Sequence, residues 1–163
     1  MNATHLLAAV GIGLGATLMI DLWAVFLKRA FAVNSLNYCL LGRWVLYMPQ
    51  GKFAHASIAA SASKPHECMV GWAAHYSIGV AFGLTFVWIA SPGWLASPTL
   101  LPALAFGVAT VVVPFFTLQP ALGLGIASSR QPRPAAARIK SLATHTVFGL
   151  GLWVCAYLQS RVF

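Results

Sequence analysis

Acidic residues are nearly absent: Asp21 and Glu67 are the only two in a chain of 163 residues, set against ten lysines and arginines. Charged residues of either sign make up 7% of the chain, where a soluble domain carries about 25%. That shortage, with 60% apolar residues and a mean hydropathy of +0.80, excludes an ordinary water-soluble enzyme. The three cysteines, Cys39, Cys68 and Cys155, are odd in number and far apart, and the spacing predicts no disulfide framework. Sequence motifs of soluble catalysis are missing too. There is no P-loop, no nucleophile elbow and no dinucleotide glycine pattern, since Gly11, Gly13 and Gly15 lie inside an apolar helix and not after a strand.

Four long apolar stretches take the place of these features. They run over residues 6–27, 69–90, 100–126 and 142–158, and each approaches the roughly 20 residues needed to cross the hydrocarbon of a bilayer. The first has no basic segment before it and is too long for a signal-peptide core, so it is expected to be retained as a span. A pI near 10.0 would suit a nucleic-acid binder, but nine of the ten bases fall in two interhelical segments, with Arg161 alone in the C-terminal tail, and nucleic acid is not the expected partner. Residues 28–68 hold Lys28, Arg29, Arg43, Lys52 and Lys64, and residues 127–141 hold Arg130, Arg133, Arg138 and Lys140. Basic loops stay in the cytoplasm, so both loops are expected inside and both termini outside. Trp23, Trp72 and Tyr76 then fall near the inner boundary, and Trp88, Trp94, Trp153 and Tyr157 near the outer one, as an aromatic belt requires.

The first loop is too apolar for a mere linker. After Asn34 and Ser35, a natural N-cap pair, Leu36, Leu40, Trp44 and Tyr47 recur at helical spacing until Pro49, which predicts an interfacial helix carrying Asn37 and Arg43 on its other side. The small-residue run at 54–63 is expected to add a short second helix. Gly11 and Gly15, Gly79 and Gly83, and Ala121 and Gly125 stand four apart, the spacing of close-packing transmembrane faces. Pro102, Pro114 and Pro120 make the third span the one expected to break or hinge.

Each span also carries a polar group in its cytoplasmic half. At about 1.5 Å per residue, Asp21 lies about 10 Å in from Lys28, His75 about 12 Å in from Glu67, His145 about 7 Å in from Lys140 and Gln119 about 16 Å in from Arg130. Lipid exposure of such groups costs several kcal/mol, so they are expected to face inward around a cytoplasm-facing cavity. Asp21 is then the proton or cation site of a small carrier or channel-like protein, lined by His75, Gln119 and His145. A buried structural hydrogen-bond network is the plainer alternative. Asp21, His75 and His145, with His55 or Glu67, could also hold a metal ion, though no close-spaced ligand motif such as HExxH is present. Two histidines on different helices could ligate a b-type haem, and no c-type attachment motif is present. An accessory subunit without chemistry of its own is a third reading.

Outside the spans, Glu67 after Pro65 reads as a first-turn acid favoured by the helix dipole, and His55 as a surface residue or a cap on the cavity. The cluster Arg130, Arg133, Arg138 and Lys140 either sets topology or binds anionic lipid headgroups at the start of the fourth span, with Arg43 joining if its helix folds inward. Four spans enclose little room, so a homo-oligomer, most simply a two-fold dimer through the glycine faces, is expected.

These residues resemble a known family. GIGLGATLMIDLW in the first span, SLNYCLLGRW and PQGKFAH in the first loop, GWAAHYSIG in the second span, PFFTLQPALGLGIASSRQP in the third and RIKSLATHTVFGLGLW in the fourth are similar to the bacterial inner-membrane family known as domain of unknown function 2938. The resemblance covers nearly the whole chain. It implies a bacterial inner-membrane protein of this size with polar motif positions at Asp21, Arg43, His55, His75, Gln119, Arg130 and His145, and it names no substrate.

Overall fold

The computed structural model describes residues 3–90 and 92–161, and every regular element among them is helical. Helix α1 covers Ala3–Phe31, α2 covers Tyr38–Tyr47, α3 covers Glu67–Ile89, α4 covers Leu100–Ala121 and α5 covers Pro134–Gln159. Four of these, α1, α3, α4 and α5, are long and apolar enough to cross a membrane. Their outward faces are apolar as well: Leu7 on α1, Trp88 on α3, Leu101 on α4 and Ile139 on α5 are all at least two-thirds exposed. A helix that is apolar all round needs a non-aqueous environment, which agrees with the composition. The spans lie close to the expected ranges, except that α5 begins eight residues earlier, at Pro134, and α4 ends earlier, at Ala121.

The chain divides into two compact units. Unit one comprises residues 1–35, 76–110 and 143–163, of which the described part is α1, most of α3, the first half of α4 and most of α5. Its core is apolar and made largely of small residues: Ala9, Ile12, Ala16, Ala103, Leu152 and Ala156 interleave with Phe86, Trp94 and Phe148. The backbones touch where side chains are absent. A methyl placed on Gly13 would meet the Gly79 carbonyl, and one on Gly107 would overlap the backbone of Gly149. Phe86 packs edge-on against Trp94 at 4.7 Å, and Trp94 donates its indole N–H to the Thr99 carbonyl at 3.2 Å.

Glycine and alanine positions predicted as packing faces are mostly used in this way. Gly79 and Gly83 meet α1 at Thr17, Ala9 and Gly13, Gly15 meets Cys155, and Gly11 meets Gln159. The glycine faces expected to serve a two-fold dimer are therefore occupied within the one chain. Gly125 is the exception, because its φ of +75° makes it a turn residue and not a packing face.

Unit two comprises residues 36–75 and 111–142. Helix α2 starts one turn later than Asn34 and Ser35 suggest, because Asn37 is its N-cap and its side-chain oxygen accepts the Cys39 N–H at 3.0 Å. The expected second helix over 54–63 does not form. Its carbonyls are taken elsewhere: those of Ile58, Ala59 and Ser61 accept from the Arg43 guanidinium, while the N–H groups of His55 and Ile58 donate to the Ala121 and Leu122 carbonyls. A segment whose backbone groups are bonded to its neighbours has none left for an i to i−4 ladder.

Helix α4 breaks as its prolines predict. The α-helical path from Leu100 ends at Ala109, and Pro114–Leu118 forms a π-helical stretch before a final short turn at Gln119–Ala121. Pro114 and Pro120 supply no N–H, which frees carbonyls one turn earlier. The hydroxyl of Thr117 donates to the Val113 carbonyl. Beyond Ala121 the chain turns through Gly123 and Gly125, both at positive φ, into the loop before α5.

Candidate functional site

Asp21 sits on α1, half-buried, and its Oδ2 accepts a hydrogen bond from the Tyr76 hydroxyl of α3 at 2.8 Å. A carboxylate inside an apolar segment needs such a donor, since leaving it unsatisfied costs several kcal/mol. Tyr76 follows His75 directly in the sequence. On a helix the two side chains are rotated by about 100° from each other. Tyr76 takes Asp21, whereas His75 stacks on the Tyr38 ring at 4.0 Å, with Trp72 edge-on to both.

His145 has a different partner again. Its Nδ1 lies 2.8 Å from Thr110 Oγ1, and the Thr110 hydroxyl donates to the Gly107 carbonyl at 2.5 Å. A hydroxyl has one proton, so with that proton spent on Gly107 the Nδ1–H of His145 donates to Thr110. Thr110 stands at the end of the regular part of α4, and this pair ties the break to α5.

The expected metal set of Asp21, His75, His145 and His55 does not form: among the described residues no three His, Cys, Asp or Glu side chains gather so that they could hold a metal ion. The physical reason is the partners just described. Asp21 is bonded to a tyrosine, His145 to a threonine, and His75 is stacked between aromatic rings. His55 lies in unit two against the Tyr47 ring at 5.0 Å, with both ring nitrogens buried and without a hydrogen-bond partner.

Gln119 is buried at the end of α4, where its Oε1 accepts from the Ser128 hydroxyl at 3.0 Å and its Nε2 donates to the Ser141 hydroxyl at 3.4 Å. Its amide therefore closes the loop between α4 and α5 onto the broken helix. Arg138 supports the same loop by donating to the Ala127 carbonyl at 2.8 Å. Ala127 and Ser128 both hold positive φ, a strained conformation that these bonds maintain. The Arg130 side chain is exposed.

Arg43 is committed within the protein. Its Nε and Nη2 donate to the two carboxylate oxygens of Glu67, both at 2.8 Å, and its Nη1 reaches the Ile58, Ala59 and Ser61 carbonyls. The Glu67 hydrogen bonds and charge hold the guanidinium above its ordinary pKa, against the opposing effect of burial. Glu67, expected as a first-turn acid favoured by the helix dipole, also accepts the Lys64 N–H at 2.8 Å and so organises the entrance of α3. The guanidinium is thus used on a carboxylate and three carbonyls of its own chain, not on an anion at the start of α5.

One covalent link was not foreseen. Cys39 and Cys68, 29 residues apart, form a disulfide, while Cys155 is free. This overturns the expectation that no disulfide joins these cysteines. No short-range Cys motif marks the pair; it meets because α2 folds back along the first turns of α3. Gly42 abuts the Glu67 carbonyl and Gly71 the Tyr38 carbonyl so closely that a methyl on either would overlap an oxygen. Tyr76 and Thr110 were also missed, and for both the signal available was a hydroxyl placed well inside an apolar span.

Comparison with curated proteins finds no match, and comparison with solved structures finds none. The sequence profile of a protein family of unknown function, DUF2938, matches residues 10–159. That interval takes in most of α1 and the whole of the other three long apolar helices, the disulfide, the Arg43–Glu67 pair and the Asp21–Tyr76 and Thr110–His145 bonds, so the chain belongs to the DUF2938 family.

Proposed function

We propose that this is a small bacterial inner-membrane carrier or channel-like protein for a proton, cation or small solute, with Asp21 as the ion-accepting group. The observation that carries the reading is the Tyr76 to Asp21 hydrogen bond at 2.8 Å within two helices able to cross a bilayer. A carboxylate that accepts from a neutral hydroxyl in an apolar span can take up and release a proton, because the tyrosine can rotate from donor to acceptor as the acid gains its proton. The break in α4 supports the same reading. Non-regular backbone at membrane depth is tolerated where it is buried in protein or lines a watery path, and π-helical turns recur at functional positions.

Orientation belongs to the proposal. Nine of the ten bases fall between the end of α1 and the first turns of α3, or between the end of α4 and the first turns of α5, and by the positive-inside rule these face the cytoplasm, with α2 at that interface. Exposed Arg130 and Arg133 then meet anionic lipid headgroups.

The test is flux. Purified protein in vesicles of phosphatidylethanolamine and phosphatidylglycerol, loaded with a pH-sensitive dye, is expected to speed the collapse of an imposed pH gradient, and Asp21→Asn to return the rate to that of empty vesicles. Tyr76→Phe should keep flux while changing its pH dependence. Identical rates for native protein and Asp21→Asn would remove the proposed ion site.

A further inference from the structure

We propose that Cys39 and Cys68 are a reversible dithiol–disulfide pair that accepts electrons from a thiol reductant at the cytoplasmic face. The inference goes beyond ion passage and shares with that reading only the orientation of the basic loops.

Four observations carry it. First, each sulfur stands in the opening turn of its helix: Cys39 is the second residue of α2 and Cys68 the second of α3. A sulfur that leaves an opening disulfide as a thiolate is favoured there by the positive end of a helix dipole. Second, the two sides differ in access, since Cys68 is exposed and Cys39 half-buried. An incoming thiolate reaches Cys68 and leaves Cys39 as the departing group.

Third, the junction does not depend on the bond. Gly42 and Gly71 bring the α2 and α3 backbones together, the Arg43–Glu67 fork closes over them at 2.8 Å, and the Tyr38 ring lies against His75 and Trp72. Opening the disulfide therefore leaves the thiols side by side, ready to close again, where in a small secreted domain the same bond would be the main staple. Fourth, the pair lies beside the bases of the first loop, Cys39 between Arg29 and Arg43 and Cys68 four residues after Lys64. On the cytoplasmic side a disulfide meets a reducing pool, and those that form there are catalytic or redox-sensing, not structural.

The exchange balances with two monothiols. One thiolate attacks the Cys68 sulfur, the S–S bond breaks, and its electron pair leaves on Cys39, which takes up a proton. A second thiolate attacks the outer sulfur of the mixed disulfide, releasing Cys68 as the second thiol and the reductant as its own disulfide. Two electrons and two protons pass from two thiols to the protein.

The experiment uses the full chain carrying Cys155→Ala, reconstituted in vesicles and equilibrated with glutathione mixtures from fully reduced to fully oxidised. Acid quench and alkylation with a heavy maleimide then count free thiols by gel shift. The expected result is a two-thiol shift that appears and disappears reversibly within the range of the mixtures, with unchanged helical circular dichroism. A pair that stays closed in the most reducing mixture while folded overturns the proposal. Oxidised glutathione should also modify Cys68 in Cys39→Ser at least tenfold faster than Cys39 in Cys68→Ser; equal rates overturn the assigned direction of attack. In intact bacterial cells, a membrane-impermeant maleimide should reach neither thiol after reduction. Labelling from outside overturns both this inference and the proposed orientation, whereas a locked pair on the inside overturns this inference alone, and neither depends on the outcome for Asp21→Asn.

Discussion

The two units of the molecule are held by opposite means. Unit one packs small residues against small residues, with Gly13 near Gly79 and Gly107 against Gly149, and side-chain bonds such as Tyr76 to Asp21 and His145 to Thr110 join its helices. Unit two uses a charge pair, a disulfide and side chains that take up loop carbonyls, with only a small apolar cluster of Tyr47, Ile58 and Leu122. The difference follows from what each segment must satisfy. Regular transmembrane helices bond their own backbones and need only close approach, which dispersion rewards in lipid where no hydrophobic drive exists between helices. The irregular chain at 52–66 and 122–133 has carbonyls and N–H groups to place, and it places them on side chains.

If that contrast is right, the largest loss comes from adding bulk in unit one. Gly107→Leu would drive a side chain into the backbone of α5 at Gly149, where no flexible atom can yield, and should abolish a folded protein outright, a cost above about 4 kcal/mol. The check is a monodispersity profile in mild detergent beside that of Ala103→Ser, which adds one oxygen to a buried site and should survive. A well-folded Gly107→Leu protein would break the comparison.

In unit two the next largest effect should come from charge. Arg43→Met strands the Glu67 carboxylate and three carbonyls and is expected to cost roughly 3 kcal/mol in unfolding by SDS titration. Because a paired charge costs desolvation that an apolar pair does not, the double variant Arg43→Met, Glu67→Met should recover about half of that loss. A double variant as weak as the sum of the singles would mean that the two residues act independently.

The sequence made the apolar frame legible and left its joints obscure, and particular residues show why. Four spans follow from composition, and the broken α4 follows from Pro114 and Pro120, because hydrocarbon and the missing proline N–H act locally. Helix α2 was legible from its periodicity, but its start was not, since Asn34 and Asn37 are equally good caps until one of them finds the Cys39 N–H. The segment at 54–63 reads as helical from its alanines and is held open by Arg43, a residue at least 11 positions away. Depth along a helix could be counted for Asp21 and His75, but azimuth could not, so the Tyr76 hydroxyl was not foreseen as a donor to Asp21. Cys39 and Cys68 carry no spacing signal because the contact between α2 and α3 is made by glycines.

The smallest effect should come from the polar bonds of unit one, and Thr110→Val isolates one of them. Valine keeps the shape of the side chain and removes the oxygen that receives the His145 Nδ1–H. A second loss comes with it, because the Gly107 carbonyl also loses the Thr110 hydroxyl as a donor. Hydrogen bonds between membrane helices average about 0.6 kcal/mol, since the separated helices find other partners, so a cost of about 1 kcal/mol is expected in the same SDS titration. His145→Phe should cost a similar amount, and the double variant no more than either single if the two side chains serve only each other. A loss several times larger for Thr110→Val would place the weight of unit one on this bond and not on its glycines, because Thr110 stands where the regular turns of α4 end and the His145 bond would then be what holds the break against α5.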